Sequence, residues 1–112
     1  MKNFNEYVKH ILDEIIFIEK ECGFSSFDKF IENQMLTRAV VRSLEIIGEA
    51  VKNIPSGILA DYPEVEWQNI ARARDKLIHH YFGVDYYIVW DIVKNHIPLL
   101  KAAALKIINR EE

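Results

Sequence analysis

Trp67-Gln68-Asn69-Ile70-Ala71-Arg72-Ala73-Arg74-Asp75-Lys76-Leu77-Ile78-His79-His80-Tyr81-Phe82 is the stretch on which the fold turns. Read at helical spacing, Trp67, Ile70, Leu77, Ile78 and Tyr81 form one apolar stripe, which predicts an amphipathic helix over 67–82. Arg74 falls inside that stripe. A guanidinium keeps its charge at any working pH and is rarely buried alone, so Arg74 needs a carboxylate, an anionic ligand or a wet subunit interface. At about 100° of rotation per residue, Tyr81 returns to within roughly 20° of Arg74, whereas His79 lies roughly 140° away. His79 is instead four residues beyond Asp75, whose carboxylate is placed to hold the imidazole in one tautomer and to favour its charged form. Helical spacing alone does not join Arg74 to His79. A frayed end near Gly83, a wrapped arginine side chain or a second subunit could each do so.

Outward from this segment, the same periodicity recurs. A first helix is predicted from about Asn3 to Glu21, with Tyr7, Ile11, Ile15 and Ile18 inward and Gly23 as its stop. A short helical turn carrying Phe27, Phe30 and Ile31 can start from Ser25 or Ser26 as N-cap. A second long helix runs from about Gln34 to Asn53, with Leu36, Val40, Leu44, Ile47 and Val51 inward, ended by Pro55 and Gly57. Ser56 to Glu64 reads as a connector. Beyond the motif, Gly83 is placed as a C-cap and Asp85 as the N-cap of a last helix reaching about Asn109. Its inward set is Val89, Ile92, Val93, Ile97, Leu100 and Ile107, and Pro98 within it predicts a kink or break. No strand-type alternation, repeat or low-complexity tract occurs, so the expectation is an all-α bundle of four or five helices in a single domain, residues 1–112.

The bulk properties narrow the function. Of 112 residues half are apolar, enough for one core, and the formal net charge of −3 argues against a protein that grips nucleic acid over a broad basic surface. A local basic pocket stays open, since Arg72, Arg74 and Lys76 cluster on the motif helix and Arg38 and Arg42 lie four apart on the second, although such spacing also describes a solvated face. Cys22 is the sole cysteine, which excludes an intrachain disulfide and a thiolate metal site and fits a reducing, cytoplasmic setting. Charged residues interrupt the first apolar pattern at Lys2, Glu6, Lys9, Asp13, Glu14 and Glu19, so neither a secretory leader nor a membrane anchor is expected. The tandem His79-His80 diverges by about 100° on a helix and is poorly placed to share one ion, so no metal and no cofactor are expected. His10 and His96 stand alone.

Taken in order, several runs resemble the HEPN superfamily, and within it the small HepT-like proteins encoded beside an MntA-like minimal nucleotidyltransferase. The resemblance rests on Arg42-Ser43-Leu44-Glu45-Ile46-Ile47-Gly48-Glu49-Ala50, on Tyr62-Pro63-Glu64 leading to Trp67, on Arg74-Asp75-Lys76-Leu77-Ile78-His79-His80-Tyr81-Phe82, and on Val89-Trp90. It implies a homodimer formed through the motif helices, with the arginine and histidine motifs of two chains meeting in a cleft that cuts RNA without a metal. Residue by residue, Arg74 and His79 become the catalytic pair, and Asp75 takes a supporting position where relatives often carry asparagine. Tyr81 becomes the acceptor of AMP from the nucleotidyltransferase antitoxin, which silences this toxin-like chain. The chemistry suits the residue types. RNA brings its own nucleophile, the 2′-hydroxyl; an imidazole with an ordinary pKa of about 6.5 can take or give a proton near neutrality, and a guanidinium fork matches phosphate oxygens.

Blander readings stand beside these. Arg74 alone reads as an ion pair with Glu45 or Glu49, His79 as a satisfied core histidine, and Tyr81 as an aromatic with its hydroxyl at the edge of the core. Trp67, Trp90, Tyr86 and Tyr87 read as packing or dimer contacts, with base stacking as the other possibility. Gly48 is placed to admit a neighbouring backbone, with Glu49 facing the motif helix. The alternative for the whole chain is a non-catalytic dimeric module that presents substrate to a partner nucleotidyltransferase.

Overall fold

In the computed structural model, residues 4–79 and 83–110 are described, the side chains of Ile78 and His79 excepted. No strand occurs among them. Four long helical segments carry the fold, with two short helices at the corners. Helix α1 spans Phe4–Cys22, α2 Phe27–Glu32, α3 Gln34–Lys52, α4 Ser56–Leu59 and α5 Trp67–His79. The last segment is α6, Tyr86–Asp91, followed by a π-helical turn, Ile92–His96, and α7, Ile97–Arg110. The expectation of an all-α HEPN-type bundle is met.

Sequence chemistry sets the corners. Ser26 caps α2, its Oγ accepting from the Lys29 N–H at 3.2 Å. Asn33 ends α2 and begins α3: its own N–H donates to the Phe30 carbonyl, and its Oδ1 accepts from the Leu36 N–H at 3.0 Å. Helix α3 stops at Lys52, earlier than Pro55 requires, because Asn53 serves as C-cap and returns its Nδ2 to the Glu49 carbonyl at 2.9 Å. Gly57, expected to help end α3, lies instead inside α4, a single turn within the connector.

The core gathers α1, α3 and α7 round their apolar stripes. Val8, Ile11, Ile15, Ile18, Val40, Ile47, Leu100, Ala103 and Ile107 are almost wholly excluded from solvent. Phe30 anchors α2 beneath α6, its ring 4.9 Å from Trp90 and 6.3 Å from Tyr86. Trp67 is half-buried and donates its indole N–H to the Tyr62 carbonyl at 3.0 Å, which ties the connector to the start of α5.

The C-terminal third refines one expectation and changes another. The irregularity expected at Pro98 takes the form of a π turn and not of a break. The chain widens into the π turn just before it, with the Ile97 N–H donating to the Ile92 carbonyl five residues back, so the strain of a missing donor is absorbed over Ile92–His96. The wider turn also brings His96 Nε2 to 3.6 Å from Asp91 Oδ2. Gly83, expected to cap the motif helix, has φ +158, far from the left-handed values near +57 that such a cap uses.

Candidate active site at the α3 and α5 seam

Helix α5 packs on α3 by a different rule from the core. No side chain from 67 to 77 is fully buried; Ile70, Ala71, Ala73, Arg74, Asp75 and Leu77 are all half-covered. What permits the close approach is Gly48. A Cβ placed there would overlap the Arg74 Cβ, lie 3.0 Å from the Arg74 Cγ and 3.2 Å from the Ile70 carbonyl oxygen. Only a residue without a side chain lets the Arg74 stem lie directly on the α3 backbone. The reading of Gly48 as a contact glycine is correct.

The stem runs from there to a four-charge cluster. Arg74 Nη2 sits 3.1 Å from Glu49 Oε1, and Nη1 donates to Asp75 Oδ1 at 3.0 Å. Lys52, one turn after Glu49, donates to the same Asp75 oxygen at 2.7 Å. The Arg74 side chain retains 26% of its exposure, while its Nε is buried with no hydrogen-bond partner among the described residues. Of the two carboxylates offered by the spacing, Glu49 is therefore the partner on α3; Glu45 pairs instead with Arg42 at 3.3 Å. Hydrogen bonds from Lys52 first and Arg74 second hold the Asp75 carboxyl below its ordinary range.

Of the motif residues, Arg74 and Asp75 are placed completely. His79 is the last residue of α5 as described, with its side chain outside the description, so the pairing expected between Asp75 and its ring lies there too. Tyr81, with His80 and Phe82, lies outside the described residues. Lys52 is the site residue that sequence reasoning missed. The available signal was its spacing: three residues after Glu49, on the face of α3 already assigned to the motif helix.

On another side of α5, a cleft of about 380 Å³ opens between α5 and the α6 to α7 segment. Its floor is apolar, including Leu44, Ile47, Ile70, Leu77, Val89 and Leu100, and Arg74 does not line it. No helix among the described residues is long and apolar enough to cross a membrane.

Fold and seam together define a class: a HEPN-type helical bundle whose motif helix presents an arginine through a glycine contact. The chain belongs to the ribonuclease HepT-like family, whose model matches residues 11–107. It is 46% identical over 112 residues, the full length of both chains, to a protein of Caldanaerobacter subterraneus subsp. tengcongensis named "Putative RNase". It is 44% identical over 100 residues to the "Probable ribonuclease HepT" of Thermococcus cleftensis, covering 89% of this chain and 91% of that one. A "Putative RNase" of Methanocaldococcus jannaschii is 46% identical over 97 residues, covering 87% of this chain and 80% of the relative. No solved structure matches the chain.

Proposed function

We propose that this chain is a single-domain, cytoplasmic endoribonuclease that works as a homodimer, with Arg74 and His79 of both protomers lining one cleft. The observation that carries the reading is Arg74 itself: a guanidinium held on a glycine, fixed by carboxylates on two of its edges and still partly open to solvent, five residues before a histidine. Pre-organisation of this kind lowers the cost of meeting a phosphate as charge builds in the transition state.

In the reaction, His79 takes the proton of an RNA 2′-hydroxyl. The new O2′ to phosphorus bond forms as the bond from phosphorus to O5′ breaks, and the departing O5′ receives a proton from imidazolium or water. Arg74 balances the charge on the non-bridging oxygens. The products are a 2′,3′-cyclic phosphate and a 5′-hydroxyl. Asp75 supports the site by fixing Arg74.

Control rests with a nucleotidyltransferase antitoxin encoded nearby. The Tyr81 hydroxyl attacks the α-phosphorus of ATP, pyrophosphate leaves, and the resulting AMP ester places an anion and a bulky base near Arg74, closing the cleft to RNA.

The test is incubation of unmodified protein with total cellular RNA in the presence of chelator, beside His79→Ala. Cleavage by wild type alone, leaving cyclic phosphate ends, is the expected result. Intact RNA with a folded dimer would replace the reading with the non-catalytic module that presents substrate to the nucleotidyltransferase.

A further inference from the structure

Asp75 creates a difficulty for a phosphate site. With Glu49 and Asp75 both on the Arg74 guanidinium, the cluster would hold two negative charges against one positive, and an approaching phosphate would meet net repulsion. Lys52 changes the balance. Its ammonium lies 2.7 Å from Asp75 Oδ1, closer than the 3.0 Å to Arg74 Nη1, on the very oxygen that the arginine uses. Shared between two cations, that carboxylate neutralises neither fully, and the cluster comes to two positive and two negative charges.

We propose that Lys52 is a charge-compensating positioning residue, which shares the Asp75 carboxylate with Arg74, offsets its charge and so keeps the guanidinium attractive to an RNA phosphate. The geometry gives it no other partner of opposite charge among the described residues. Its placement is also that of a spacer: Gly48, Glu49 and Lys52 lie within about one and a half turns of α3, so one face of one helix supplies the contact, the first anchor and the compensating charge. Lys52 and Asp75 are 37% and 44% exposed in their side chains, so solvent screens the pair and its direct share of fold stability is small. Its effect falls on the phosphate. An unneutralised carboxylate next to the guanidinium would weaken RNA binding about three- to tenfold, the scale expected for one partly screened charge beside a phosphate contact.

This inference deepens the ribonuclease reading and rests on it for the identity of the anion, and the experiment separates the two. Wild type, Lys52→Gln, Asp75→Asn and the double variant Lys52→Gln/Asp75→Asn are compared in binding to a 2′-O-methyl RNA oligonucleotide, which has no nucleophile, and in cleavage of its 2′-hydroxyl counterpart. Thermal unfolding is followed for each, and Lys52→Arg serves as the charge-keeping control. Lys52→Gln is expected to weaken binding about three- to tenfold and to raise KM more than it lowers kcat. Asp75→Asn, which loses the carboxylate charge on Arg74, sets the reference; Lys52→Arg stays within about twofold of wild type, and the double variant recovers to the level of Asp75→Asn.

Recovery is the readout that a merely structural lysine would not give. The proposal is overturned if Lys52→Gln binds like wild type, if its loss persists in the double variant, or if no form of the protein binds RNA. Binding that follows the expected pattern without any cleavage by wild type would sustain the role of Lys52 and defeat the nuclease reading instead.

Discussion

The interior formed by α1, α3 and α7 and the seam between α3 and α5 share one helix but are held by different physics. In the first, α3 turns Val40, Leu44, Ile47 and Val51 into an apolar core closed to water. In the second, the same helix offers Gly48, Glu49 and Lys52, and α5 answers with an arginine stem and a carboxylate. The core makes the fold stable; the seam spends little on stability and fixes the direction of one guanidinium. A protein that needed only to hold α5 in place would do better with leucine at position 74, since surface ion pairs contribute about 0–1 kcal/mol whereas a buried leucine contributes about 1.5–3 kcal/mol.

The contrast can be broken most severely in the core. Phe30→Ala removes a fully buried ring that joins α2 to α6, and is expected to cost about 3–5 kcal/mol in denaturant unfolding. If that variant unfolds like wild type, the division of labour is wrong.

Gly48→Ala comes next and tests the seam. Alanine in a helix interior gains about 1 kcal/mol of propensity over glycine. Here the new methyl meets the Arg74 stem and the Ile70 carbonyl, neither of which is the free end of a flexible chain. Overpacking of about 1–3 kcal/mol should win, so a net loss of stability is expected. A stabilised Gly48→Ala protein would mean that α5 can shift freely on α3.

Glu49→Gln sharpens the comparison further. It takes the charge from one anchor of Arg74 in an exposed position, so unfolding should change by less than about 1 kcal/mol, while RNA cleavage falls because the guanidinium is held less firmly. Equal loss in both would reduce the seam to a structural contact.

The smallest effect concerns pH. The Asp75 carboxyl is lowered on folding, so its contribution to stability is present in full above the ordinary carboxylate value of about 3.9 and is lost as pH falls through the lower folded value. Asp75→Asn should therefore flatten the acid limb of the stability curve below about pH 4, with its small deficit against wild type present at neutral pH and vanishing in acid. An unaltered acid limb would show that the Lys52 and Arg74 contacts do not persist in solution.

The fold was legible wherever one period ruled. The stripe of α1, the inward face of α3 and the last helix from Val89 to Ile107 follow from helical spacing, and capping followed from Ser26 and Asp85, whose side chains accept from Lys29 and Tyr87 N–H groups. Less legible were features that depend on a neighbour. Asn53 ended α3 before Pro55 could, α4 folded a single turn out of the connector, and Pro98 was accommodated by a π turn, because local breakers state that something must give but not where. In the site, Arg74 inside an apolar stripe announced a need for an anion, and Glu49, read as facing the motif helix, is the carboxylate that the packing of α3 on α5 selects over Glu45. Lys52 escaped notice because an exposed lysine in a last helical turn already has an ordinary explanation in the helix dipole.

The central claim is that Arg74 is held for chemistry and not for the fold, and Arg74→Lys tests it most directly. Lysine keeps the charge and most of the stem, and loses the fork that Glu49 and Asp75 grip. Measured side by side on the same preparation, stability should stay within about 1 kcal/mol of wild type while RNA cleavage drops by about a hundredfold or more. Cleavage at the wild-type rate, or a loss of activity that only tracks unfolding, would contradict the account.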